Sequence, residues 1–123
     1  MSEQKFGLVI HEDGRLEVQE YAEPLYKTLG KTVHGWIEVV QIRRLPERYL
    51  MIVNEEGLLM GLQSNPIAGW LYAGGFIVGP AVIVQRVMTD DGPDIGLLTE
   101  DDVEDVRARL HMMTGCWEVA VDE

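Results

Sequence analysis

The pattern of apolar and polar residues along the chain, with runs rich in β-branched and aromatic residues between turn signals, predicts strands at residues 6–10, 15–21, 35–45, 49–53, 58–62 and 76–87. Between the first two, Gly14 stands where a left-handed residue closes a hairpin after a type I turn. The same turn chemistry recurs at Asn54-Glu55-Glu56-Gly57, which predicts a second hairpin returning through residues 58–62. Gly79-Pro80 indicates a bulge or an edge position in the last strand, and residues 89–93 read as a loop.

Two short helices are predicted between these strands. The first covers residues 24–29 and is expected to end at Gly30. The second begins with Asn65 as its N-cap and Pro66 at the first helical position, and is expected to stop at Gly74-Gly75.

A longer helix is predicted near the C-terminus. It begins at Thr99, where Asp102 stands three residues on in a capping-box arrangement, and it is expected to end at Gly115. The apolar side chains that recur at helical spacing along it are Val103, Val106, Leu110 and Met113.

The order of these elements predicts an α+β fold. It consists of a mostly antiparallel sheet built from hairpins, covered by two short helices and one longer C-terminal helix. The chain has 123 residues, the length of one domain, so residues 1–123 are expected to form a single domain. Residues 116–123 read either as a loose tail or as a last strand.

Composition places the chain among ordinary globular proteins, with 46% apolar and 25% charged residues. Cys116 is its single cysteine, which excludes an internal disulfide, and no signal peptide is recognisable at the N-terminus. The longest apolar stretch, residues 67–84, is interrupted by glycines and a proline and is too broken for a membrane span. We therefore expect a cytoplasmic protein with no membrane partner.

The formal net charge of −11 is concentrated in the second half of the chain. Residues 1–62 carry ten acids and seven bases, net −3, whereas residues 63–123 carry eleven acids and three bases, net −8. Such a surface repels phosphates, which argues against direct nucleic-acid binding, and suits a partner protein with a basic surface. Acidity that serves only solubility is the competing interpretation. The candidate partner-binding acids are Asp90, Asp91, Asp94, Glu100, Asp101, Asp102 and Asp105.

Known catalytic and metal-binding motifs are missing from the sequence. The three histidines and Cys116 do not have the spacing of a zinc site, and the acidic loop 90–94 does not follow the EF-hand pattern. Neither serine lies in a nucleophile elbow, and the glycines at 74–79 lead from a helix into a strand, the reverse of a phosphate-binding loop. No metal, cofactor or catalytic set is predicted.

Three polar residues are candidate ligand contacts. Glu38 shares a face of the predicted strand 35–45 with apolar neighbours. Because a buried, unpaired carboxylate is costly, we expect Glu38 to be paired, to be exposed at a rim, or to serve in binding or catalysis. Asn54 and Asn65 have sufficient structural roles in a turn and a helix cap, with ligand binding as the alternative.

Four segments of the sequence together resemble a known family. They are Gly35-Trp36-Ile37-Glu38-x-Val40, Val53-Asn54-Glu55-Glu56-Gly57-x-Leu59-x-Gly61-Leu62, Asn65-x-x-Ala68 and Ile77-Val78-Gly79-x-Ala81-Val82. The family consists of small uncharacterised proteins of phages, plasmids and other mobile elements, known as domain of unknown function 3846. The resemblance covers residues 6–110 and implies a mobile-element setting, with no catalytic residues to carry over. The sequence departs from the family at Pro66, in the acidity after Asp90 and in the tail beyond Gly115.

These observations favour an acidic binding protein that acts on a host or phage macromolecule, for example an inhibitor of a defence or nucleic-acid-handling protein. The alternative is a protein that binds a small, nucleotide-like ligand through Glu38, Asn54 and Asn65. An enzyme that uses Glu38 as acid or base has the least support. Edge strands can pair between two copies of the chain, so a homodimer is a further alternative.

Overall fold

The computed structural model describes residues 3–114 and 121–122 and contains one seven-stranded sheet and three helices. In chain order the elements are β1 (Phe6–Ile10), β2 (Leu16–Glu20), α1 (Leu25–Val33), β3 (Ile37–Gln41), β4 (Tyr49–Asn54), α2 (Pro66–Tyr72), β5 (Ala81–Thr89), β6 (Gly92–Gly96), α3 (Glu100–Thr114) and β7 (Val121–Asp122).

The strands are ordered β3-β4-β5-β1-β2-β7 across the sheet, and β6 also pairs with β5. All of these pairs are antiparallel except β2–β7, which is parallel. The long strand β5 lies at the centre, because its first half pairs with β1 and its second half with β6. Strand β3 forms one edge of the sheet.

Both faces of the sheet are buried over its centre. One face carries the larger core, where Leu8, Met51 and Ile83 pack against Leu71 of α2 and Val106 of α3. The opposite face packs its alternate residues against Leu29 and Val33 of α1. The residues of β4 are therefore buried on both faces, which explains why the run Tyr-Leu-Met-Ile-Val is apolar without alternation.

The predicted fold class is confirmed, and so are several local signals. Gly14 adopts φ +90° and donates its N–H to His11 O (3.0 Å) in the turn between β1 and β2. Asn65 caps α2 by accepting the Ala68 N–H on its side-chain oxygen (3.2 Å). Thr99 and Asp102 each accept the other's backbone N–H, at 3.1 and 2.9 Å, which is a complete capping box.

Three predictions about strands were wrong. Residues 58–62 do not return as a strand beside β4, because the neighbour of β4 is β5, and residues 55–61 form a series of turns. Of the predicted loop 89–93, only residues 90–91 form a turn, because Thr89 ends β5 and Gly92 begins β6 as its hairpin partner. The predicted strand 35–45 is shorter, since β3 covers only Ile37–Gln41 and the amides of Arg43 and Arg44 bond to Leu71 O of α2.

Helix ends also differ from prediction. Helix α1 continues past Gly30 to Val33. Gly30 does not end the helix but allows a close approach, because a Cβ there would lie 2.9 Å from Gly35 O. Helix α2 ends at Tyr72, and its C-cap is Ala73, in the left-handed region at φ 58°, rather than Gly74. On α3, Val103, Val106 and Leu110 are buried as predicted, whereas Met113 is 38% exposed.

The predictions for Cys116, for a helix end at Gly115 and for residues 116–120 lie outside the described residues. Of the predicted tail, Val121–Asp122 pair with β2 as β7. In the described part of the chain, no helix has the length and apolarity needed to cross a bilayer.

Candidate functional site

A cleft of about 380 Å³ opens beside the edge strand β3, and we call it the edge cleft. Its walls come from β3, the end of β4, the turns that follow β4, and the end and exit of α2. The residues that line it are Glu38, Val40, Val53, Asn54, Glu55, Glu56, Gly57, Leu58, Leu59, Tyr72, Phe76, Ile77 and Val78.

Asn54 holds the turn segment that forms one wall of the edge cleft. Its side-chain amide donates to Val33 O at the end of α1 (2.8 Å) and to Met60 Sδ (3.4 Å). Its side-chain oxygen accepts the Glu56 N–H (2.7 Å). Asn54 is only 6% exposed, so one buried side chain ties the turns to both the sheet and α1.

The rim of the edge cleft is apolar and exposed to solvent. Leu58, Leu59 and Phe76 are 73%, 87% and 84% exposed, although all three line the same cleft. Single exposed apolar side chains are common on protein surfaces, but a group of them around a concavity is typical of an interaction site.

The charged residues of the edge cleft all have the same sign. Glu38, Glu55 and Glu56 line it and are exposed, and no lysine or arginine is among the lining residues. Within residues 3–114, no ion pair neutralises these three carboxylates. The arrangement attracts a cationic group and repels a phosphate.

The three predicted ligand contacts are not all brought together. Glu38 and Asn54 line the edge cleft, whereas Asn65 is not among its lining residues. The amide of Asn65 donates to Ile10 O and Gly79 O, both at 2.9 Å, while its oxygen caps α2. At 1% exposure, its polar atoms are engaged inside the fold. A ligand role for these residues stays a prediction.

The predicted partner-binding acids separate into two groups. Asp90, Asp91, Asp94, Glu100 and Asp101 are exposed. Asp102 and Asp105, in contrast, join α3 to the sheet through a set of hydrogen bonds that we call the α3 network. Its members are Arg48, Tyr49, Gln85, Asp102 and Asp105.

Asp102 is the centre of the α3 network. One carboxylate oxygen accepts from Arg48 Nη1 (2.8 Å), and the other accepts from Gln85 Nε2 (2.9 Å) and Thr99 N–H (2.9 Å). Burial raises the pKa of Asp102, but the hydrogen bonds from Thr99 and Arg48 outweigh it and hold that pKa below its ordinary value. The carboxylate is therefore charged and serves the fold.

Asp105 makes the second connection. It accepts from the hydroxyl of the buried Tyr49 (2.6 Å) and from Arg109 Nε (3.1 Å). The Tyr49 hydrogen bond is the main reason why the pKa of Asp105 is lowered, and burial is the main reason why the pKa of Tyr49 is raised. Neither group is placed to titrate at neutral pH.

The edge cleft and the α3 network both lie within a range that matches a known family. The family model described as Domain of unknown function (DUF3846) matches residues 4–111. The chain belongs to this family. The resemblance drawn from the four sequence segments is thereby confirmed. No curated protein and no solved structure gives a significant match.

The apolar rim is the part of the site in this DUF3846 chain that was not predicted. Leu58 and Leu59 fall in the predicted return strand, where one of them would face a core, and Phe76 falls at a predicted strand start. The available signal was the pair Gly57 and Gly61, which flank the run Leu58-Leu59-Met60, because closely spaced glycines mark turns. In the part of the chain that the structure describes, no cluster of side chains is suited to hold a metal ion.

Proposed function

We propose that this protein is a binding module that captures a basic, apolar-containing segment of a partner protein in the edge cleft. The observation that supports this function is the grouping of Leu58, Leu59 and Phe76 with three exposed glutamates around one concavity. Apolar side chains supply the binding free energy at such sites, while the surrounding charges select the partner and accelerate its association.

The charge of the whole molecule favours the same class of partner. With a net charge of −11, the protein attracts basic segments at a distance, and the exposed acids of the β5–β6 hairpin and at the start of α3 add to this field. The setting, a mobile-element protein that acts on a host or phage macromolecule, is part of the proposal and is implied by the family resemblance.

The small-ligand alternative is less well supported. A nucleotide-like ligand carries phosphates, and the edge cleft presents Glu38, Glu55 and Glu56 with no basic residue among those that line it. An enzymatic role for Glu38 has only the exposure of that carboxylate on an edge strand in its favour.

A random peptide display library tests the proposal even though the partner is unidentified. We expect enriched sequences to combine Lys or Arg with apolar residues, and their affinity to fall as the salt concentration rises. A failure to enrich, or enrichment of acidic sequences, would contradict the proposal.

Matched surface variants then locate the binding site. Leu59→Ser and Phe76→Ser are expected to weaken the selected peptides about tenfold or more, the loss typical of an interface anchor. Met112→Ser is the control, because Met112 is equally exposed at 83% but lies on α3. If the control weakens binding as much as the cleft variants do, the edge cleft is not the site.

A further inference from the structure

In the part of the chain that the structure describes, the backbone of β3 is bonded on one side only. In the described residues, β3 pairs with β4 and with no other strand. An edge of this kind offers a row of amide and carbonyl groups to any extended chain that lies beside it.

The register identifies which groups of β3 point outward. Glu55 N–H donates to Trp36 O (2.9 Å), so Trp36 and Glu55 form a hydrogen-bonded pair. Such pairs alternate along an antiparallel ladder, so Glu38 and Val40 also direct their backbone groups to β4. The N–H and C=O groups of Ile37, Val39 and Gln41 therefore point away from the sheet.

The pairing on the other side of β4 gives the same result independently. Arg86 N–H donates to Arg48 O (2.7 Å), which places residues 48, 50 and 52 as the bonded partners on the β5 side. The odd-numbered residues Met51 and Val53 are then bonded to β3, in agreement with the first assignment.

A concavity lies on each face of this edge. Glu38 and Val40 line the edge cleft on one face. On the other face, Val39 and Gln41 line a trough of about 430 Å³. The remaining residues of the trough are Leu50, Arg86, Pro93, Asp94 and Ile95. Side chains of an added strand alternate between the two faces, so each concavity would receive every second residue.

The geometry points to strand addition: a basic extended segment of the partner pairs with the outer side of β3 and completes the sheet. This inference rests on the proposed function and specifies how the same site binds. Residues of the segment that face the edge cleft are cationic or apolar, to match Glu38 and the rim. Those that face the trough are apolar, to cover Val39, which is 45% exposed.

Charge complementarity selects this occupant over a second copy of the chain. A β3–β3 dimer would bring two sets of Glu38, Glu55 and Glu56 to one edge and join two molecules that each carry −11. A basic segment instead neutralises these carboxylates.

Backbone methylation of the bound peptide tests strand addition directly. The probe is the tightest synthetic peptide from the display selection, with one amide N-methylated at a time. Strand addition predicts that methylation weakens binding at every second position, because alternate amides bond to β3. Uniform tolerance of methylation would overturn the inference.

A proline substitution tests the protein side. Val39→Pro removes an outward N–H, a change that edge strands accommodate, and Val39→Thr is the matched control that keeps the N–H. We expect Val39→Pro to bind the peptide about tenfold more weakly and Val39→Thr to bind it normally. The melting temperature of each variant establishes that both are folded.

Amide hydrogen exchange provides a readout that does not depend on a variant. Peptide binding should slow exchange at Ile37, Val39 and Gln41, while Glu38 and Val40 are already protected by β4. If Leu59→Ser and Phe76→Ser weaken binding but N-methylation, Val39→Pro and hydrogen exchange show no effect, strand addition is refuted and the proposed function stands. The absence of any peptide binding would refute both. A free protein that dimerises, and that Val39→Pro makes monomeric, would assign the edge to a second copy instead.

Discussion

The α3 network and the edge cleft are both rich in acidic residues, yet the carboxylates serve different purposes in them. In the α3 network, Asp102 and Asp105 accept hydrogen bonds from Arg48, Gln85 and Tyr49 and join a helix to the sheet. In the edge cleft, Glu38, Glu55 and Glu56 are exposed beside apolar side chains that the fold does not cover. Acidity alone therefore does not identify a binding surface, because what each carboxylate already contacts decides its role.

The largest expected change in stability distinguishes Asp102 from its neighbour Asp101 on the first turn of α3. Asp102→Ala removes the capping box and the bonds to Arg48 and Gln85, so we expect a loss of about 2–3 kcal/mol in the free energy of unfolding. Asp101→Ala, at an exposed position, should change it by less than about 0.5 kcal/mol. Urea denaturation measures both values. Equal losses would show that the α3 network does not stabilise the fold.

A smaller loss in the free energy of unfolding is expected at Asn54, which holds the turns beside the edge cleft. Asn54→Ala leaves Val33 O and Glu56 N–H without their side-chain partner, which should cost about 1–2 kcal/mol. The turns at residues 55–61 should also exchange their amide hydrogens faster than in the wild type, as hydrogen-exchange mass spectrometry can measure. Glu55→Ala is the control, because that side chain is exposed. Unchanged exchange in Asn54→Ala would mean that another contact holds the turns.

The smallest effect on stability is expected from a change of pH, because protonation of a carboxylate removes its charge but leaves the side chain in place. The folded-state pKa values of Asp102 and Asp105 are lowered, so their stabilisation is complete above the unfolded value of about 3.9. It is lost as the pH falls from there through the folded values. Thermal melts between neutral and acidic pH should show this decline, and Asp102→Ala should show a shallower one. Identical dependence of the melting temperature on pH in the wild type and Asp102→Ala would contradict the stabilising role of the Asp102 carboxylate.

Much of the fold was predictable because its signals are local. The Gly14 turn, the Asn65 cap and the Thr99–Asp102 capping box each depend on a few adjacent residues, and all three appear in the structure. The return strand 58–62 was the main error, since its turn sequence matched the first hairpin. Which strand becomes the neighbour of β4 depends on distant pairing with β5, which turn chemistry does not encode.

The candidate site was predictable only in part. Glu38 and Asn54 were selected from the sequence, and both line the edge cleft. Leu59 and Phe76 were not, because an exposed apolar residue has the same sequence pattern as a buried one. The division of the acids was also hidden, since Arg48 lies 54 residues from its partner Asp102.

By itself, the sequence determined the class of fold, the Gly14 turn, the N-terminal caps of α2 and α3, the negative charge and the membership of the family. These properties follow from composition or from contacts between residues close along the chain. Only the tertiary structure decided which carboxylates are used inside the fold, which apolar side chains remain exposed, and that β3 lies at an edge. Those outcomes depend on contacts between residues far apart along the chain. A strand that pairs with one neighbour cannot pair with another on the same side, and an apolar or acidic residue of the same type can end up buried or exposed depending on that pairing.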